Sequence, residues 1–155
     1  MITQQQFEVL LPLACAWAEE QERMILDSGM ALNEFQMEDA RRIGVVNPEH
    51  IRLMRVSCIP SPTHPLLASA AAATGLVSAK TAGLTVRYGI FIRSDCWGNR
   101  SLVAHECAHT MQYERLGGFE AFLRPYLLEC ITPPGYPYGP LEQEAQKLQR
   151  EICLK

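Results

Sequence analysis

The sequence has no apolar run long enough to cross a bilayer, no run of lysine or arginine, no CxxC pair, no internal repeat and no low-complexity tail. Each absence excludes something. A membrane-spanning helix needs about 20 apolar residues in a row. Nucleic-acid binding needs a concentrated basic patch. Here 14 basic residues face 17 acidic ones, for a net charge of −3, so nucleic acid is not an expected partner. Disulfide frameworks mark short secreted chains with clustered cysteines. The six cysteines here, at 15, 58, 96, 107, 130 and 153, are scattered, and the expectation is reduced thiols in a cytoplasmic protein. Residues Val9 to Ala18 (VLLPLACAWA) have the look of a secretory core. However, the MITQQQFE before them contains no Lys or Arg and carries Glu8. Pro12 also stands where a lipoprotein site needs an aliphatic residue.

A chain of 155 residues fits one compact domain and can bury a core without staples. Helical spacing of Phe7, Leu10, Leu11, Ala14, Trp17, Ala18 and Met24 predicts a first helix over 3–28, with Thr3 as N-cap and a kink or late start at Pro12. A second helix is expected over 33–43, with Leu32, Phe35, Met37, Ala40 and Ile43 apolar and Gly44 as its stop. The stretch 48–65 mixes helical and extended signals and ends in a proline loop. The Ala-rich segment 66–74 predicts a short helix. In GLTVRYGIFIR, residues 83–93, alternation of Leu84, Val86, Tyr88, Ile90 and Ile92 predicts half-buried strands. Gly89 is expected at a bulge or bend, within a sheet of two or three strands. Helices are then expected over 101–116, 119–130 and 141–152, with a rigid Pro/Gly loop at 132–140. The predicted fold is α+β and mainly helical: N-terminal helices over 1–75, then a metal-site core over 80–155 in which a small sheet precedes the key helix.

That key helix reads LVAHECAHTMQY and contains HExxH as His105-Glu106-Cys107-Ala108-His109. Residues i and i+4 share a helix face one turn apart, so both imidazoles can reach one metal ion. Glu106 adjoins them as a base for water, and Cys107 points away as a small buried hydrophobe. Two imidazoles and a carboxylate suit Zn2+, with a fourth position left for water. The carboxylate candidates lie downstream: Glu114, Glu120, Glu129, Glu142 and Glu144. Glu114 is on the wrong face of the same helix, and Glu120 follows too closely for a crossing helix to return it. Glu142 and Glu144 open the last helix. His50 and His64 read as surface or loop residues. A donor for the oxygen that gains charge is also needed; Tyr138, then Tyr136, lie in the loop before Glu142. Gln112 shares the face of His109 and could orient a ligand or the last helix.

HECAHTMQYERLGG at 105–118 and PLEQEA at 140–145 resemble the gluzincins, zinc peptidases with HExxH and a glutamate on a later helix, and within them the small bacterial DUF4157-like group. The resemblance covers about residues 80–150. It implies a minimal zincin-like domain that hydrolyses a peptide or protein substrate. In gluzincins the ligand Glu commonly opens an ExxA pattern, which Glu142 matches through Ala145, so the resemblance favours Glu142 over Glu144. Gln146 stands where the pattern has an Asp that orients a ligand His, and it brings no negative charge. The alternatives are a metal-binding or regulatory module without proteolysis, and an effector or toxin-type protease with one dedicated target.

Overall fold

The computed structural model describes residues 2–154. Helix α1 (Gln4–Ser28) starts where Thr3 accepts from the Gln6 N–H and Gln6 bonds back to the Thr3 N–H, a capping box. Phe7, Leu11, Ala14, Ala18, Glu22 and Ile25 form its buried face. The helix does not start late at Pro12 but runs through it. Pro12 is exposed, and its buried neighbours Leu11 and Ala14 hold the helix to the core past the missing N–H. Helix α2 (Glu34–Ile43) has its own capping box, Asn33 with Gln36, and ends at Gly44 with φ 115°. Phe35 of that helix lies exposed, and the Arg100 guanidinium covers its ring at 4.7 Å. Helix α3 (Pro65–Thr74) begins at Pro65, where a missing N–H does no harm.

The sheet has four strands, one or two more than the alternation predicts. They are β1 (Met30–Ala31), β2 (Arg52–Val56), β3 (Gly83–Val86) and β4 (Gly89–Arg93), in spatial order β1-β2-β4-β3. β2 runs parallel to β4, and the other two pairs are antiparallel. β2 arises from the ambiguous stretch before the proline loop; pairing on both sides makes it a strand. The run 83–93 supplies two of these strands as a hairpin, in which Arg87 and Tyr88 form the turn, Arg87 with φ 64°. Gly89 opens β4 instead of bulging it. A Cβ there would stand 3.0 Å from the Ile25 side chain, so glycine lets α1 lie directly on the sheet. β4 is covered on both faces. Ile90 and Ile92 join the core of α2, α4 and α6, and Phe91 joins that of α1 and α5.

Helices α4 (Arg100–Leu116), α5 (Phe119–Ile131) and α6 (Pro140–Cys153) complete the mainly helical α+β fold. α4 is central: it packs against α2, α5, α6 and β3. Among the described residues, no helix is long and apolar enough to cross a membrane.

Candidate metal centre

The site is built on α4. Asn99 caps its start by accepting from the Leu102 N–H, and Gly117 ends it at φ 107°. Because α4 is enclosed on several sides, most of its residues from Val103 to Tyr113 are buried, including the polar Glu106, His109, Thr110 and Gln112. His105 and His109 sit one turn apart, ring centroids 5.0 Å apart and edge to face. Glu142 reaches them from the first turn of α6, whose start is fastened by the Leu141 N–H donating to Glu129 at 2.9 Å. The Glu142 oxygens lie 3.0 Å from His105 Nε2 and 2.8 Å from His109 Nε2. These three residues offer donor atoms within 4.8 Å of one another.

Glu144, the other candidate, is turned away into a pair of bonds with Arg115 at 2.8 Å. Glu114 binds the Val46 and Asn47 N–H groups and the Tyr88 hydroxyl. Glu129 caps α6, and Glu120 is exposed beside Arg124. His50 and His64 are exposed, the latter capping α3. Cys107 is buried in the core behind α4, as its position in the motif predicts.

Each imidazole is oriented through its other nitrogen. Gln112 Nε2 donates to the Leu141 carbonyl at 2.9 Å and to Glu144 at 2.8 Å. Its Oε1 therefore accepts from His109 Nδ1 at 2.8 Å. His109 is held with Nε2 facing Glu142, and that nitrogen is free to hold a cation once deprotonated. For His105 the partner is Gln149 at 3.1 Å, two turns beyond Glu142. Gln146, expected in that role, does not fill it. Glu142 receives a further bond from the Tyr126 hydroxyl at 2.6 Å.

The electrostatics favour a positive charge at the centre. Burial resists ionisation of Glu142, but its bonds to His105 and His109 outweigh this and hold the carboxyl well below the usual range. Burial likewise opposes charge on His105, yet the bond to Glu142 and the charges of Glu106 and Glu142 raise it to about 9. His109 is raised for the same reasons. Two imidazoles and one carboxylate, each oriented from behind and with converging donor atoms, fit a metal ion that takes the place of the imidazole protons.

Glu106 stands outside this trio. The Thr85 hydroxyl lies 2.8 Å from its carboxylate and 2.9 Å from its backbone carbonyl. Gly83 makes room for it, since a Cβ there would come within 3.1 Å of the Glu106 side chain. Glu106, His105, His109 and Glu142 all line one cavity together with β3, Tyr126 and Tyr136. The site does not include Tyr138: that ring is 62% exposed and off the cavity wall. The short loop turns Tyr138 outward and its neighbour Tyr136 inward. Burial and the charges of Glu142 and Glu106 raise the Tyr136 hydroxyl and keep it protonated.

Sequence reasoning missed Tyr126, Thr85, Gln149 and Gly83. Gln149 had a signal, as it lies two turns after Glu142 on the same side of a helix. Tyr126 and Thr85 had none, because only packing brings them to the centre. No family model, curated protein or solved structure matches the chain.

Proposed function

We propose that the protein is a gluzincin-like, zinc-dependent hydrolase of peptide or amide bonds. The observation that carries this reading is the separation of roles around one cavity. Three donors converge, and a second carboxylate, Glu106, faces the same space without joining them. A site serving only to hold a metal has no use for a buried carboxylate kept out of the ligand set. Zinc is the ion of choice because two imidazoles and one carboxylate leave a position open in a tetrahedral set. One donor atom from each of the three residues already lies within 4.8 Å of the other two.

When bound there, zinc supplies Lewis acidity that polarises a carbonyl and makes a water more acidic. The residues do the rest. Glu106 takes a proton from the attacking water on its carboxylate and delivers it to the departing nitrogen, so the C–N bond breaks to a carboxylic acid and an amine; transfer of the acid's proton to the amine then leaves a carboxylate and an ammonium group. Thr85 fixes the carboxylate that carries the proton. Tyr136 offers its hydroxyl to the carbonyl oxygen as charge collects there. The outer edge of β3, unpaired within the sheet, is available to pair with an extended substrate backbone. Six free thiols support a reducing compartment, the cytoplasm, as its place of work.

The test is Glu106→Gln in the zinc-loaded protein. Turnover of a peptide mixture should fall by about 10²-fold or more while zinc content by elemental analysis stays the same. Unchanged turnover, or zinc lost with the substitution, removes Glu106 as the base and with it this reading.

A further inference from the structure

Behind the metal group the cavity continues as an apolar chamber, and the N-terminal half of the chain closes it. α1 contributes Phe7, Ala14 and Trp17, α3 contributes Leu67 and Ala71, and α5 contributes Leu127. Among the described residues, no lysine, arginine or aspartate stands on its wall. Its two carboxylates are engaged, Glu106 with Thr85 and Glu142 with both imidazoles and Tyr126. The walls from α1, α3 and α5 carry no charged side chain, so a charged group lodged among them would lose its water and gain no counter-ion there. The cavity measures about 130 Å³, close to the roughly 150 Å³ apolar cavity that takes up benzene. That volume includes the space beside the metal group, so the apolar part has room for one side chain about the size of valine or leucine and too little for a long acyl chain.

We propose that this chamber is a specificity pocket that receives one large, uncharged apolar side chain of the substrate next to the bond that is cut. The link to cleavage rests on the hydrolase reading; the chamber itself rests on its size and lining. α3 sets its depth, because the small side chains of Ala70 and Ala71 face it where larger ones would fill it. Trp17 on the opposite wall reports its occupancy.

The experiment titrates the hydroxamates of glycine, leucine, phenylalanine and aspartate into zinc-loaded protein carrying Trp97→Phe. Trp97 packs in the other core cluster, so the emission then comes from Trp17 alone. Burying the leucine side chain should tighten binding about 30-fold over glycine, and the aspartate compound should bind no better than glycine. Ala71→Leu should reduce the leucine advantage to about threefold or less, with glycine binding and zinc content unchanged. Leu127→Ala should shift the preference from leucine to phenylalanine. Toluene, which needs no metal, should change Trp17 emission in the metal-free protein too, and Ala71→Leu should abolish that change. Circular dichroism establishes that each variant is folded. Equal affinity for the glycine, leucine and aspartate compounds overturns the pocket, as does a leucine preference that survives both substitutions. Failure to cut any peptide, with the leucine preference and toluene response intact, supports the pocket and removes the hydrolase reading.

Discussion

Gln112 links the His109 imidazole to the start of α6 with one amide. Replacing it with leucine removes the acceptor that orients His109 and leaves the Leu141 carbonyl short of a donor. Gln112→Leu should lower zinc affinity about 10- to 100-fold and unfold about 1–3 kcal/mol more easily, measured by chelator competition and urea denaturation. Gln149→Ala should weaken zinc in the same direction with a smaller stability loss, because Gln149 is only partly buried and water can replace its bond to His105. The tyrosines separate by exposure. Tyr136→Phe should lower kcat about 10-fold or more with KM little changed. Tyr138→Phe should leave both as they are, because that ring faces solvent. Steady-state kinetics on a cleavable peptide distinguishes the two.

Two contacts between elements set the geometry of Glu106, the proposed base. The first is β3 against α4, where Gly83 and Thr85 hold Glu106. Gly83→Ala would push a methyl against that carboxylate, so turnover should drop while bound zinc, measured by elemental analysis, stays at one per chain. The second is α1 against the β3–β4 turn. Glu22, buried at 2% exposure, takes two bonds from Arg87 at 2.7 and 2.8 Å and one from the Tyr88 N–H. These bonds hold Arg87 at its positive φ, a conformation that favours glycine. Arg87 also stacks on Phe119 at 4.6 Å, and its carbonyl accepts from Thr110 in α4. Glu22→Ala should therefore destabilise the fold by about 2 kcal/mol, reduced from a fully buried pair because the Arg87 side chain is 39% exposed. Urea melts would measure it. Arg87→Gly at the same turn should lose less than that, since glycine relieves the backbone strain as the ion pair is removed.

At the scale of the whole molecule, the His105–His109–Glu142 group ties late elements to the centre. His105 and His109 lie on α4, Glu142 on α6, and Tyr126 on α5 reaches the same carboxylate. A metal bound only by the folded chain stabilises it by mass action, about 2.7 kcal/mol at 100 times Kd. For a chain of this length, chelation should lower Tm by roughly 5–10 °C, and scanning calorimetry with and without chelator tests this. The N-terminal helices act on the opposite side of the cavity. α1 and α3 close the apolar chamber, so truncating the Ala-rich α3 should expose it and abolish discrimination between leucine and glycine ligands.

What the sequence determined by itself is local. HExxH puts two imidazoles on one helical face whatever surrounds them, since 3.6 residues make a turn. The capping residue Thr3 and the stop Gly44 mark helix ends through backbone hydrogen bonding, which acts over a few residues. What only the tertiary structure decided is long range. RLMRV became a central strand because β1 and β4 flank it. Glu142 reached the imidazoles and Glu144 did not, because the packing of α6 on α4 turns one inward and gives the other to Arg115. Tyr136 faced the cavity, Tyr138 faced water, and Thr85 met Glu106. Each choice depends on which chain surfaces exclude water from one another, and that is a property of the assembled core rather than of any window of residues.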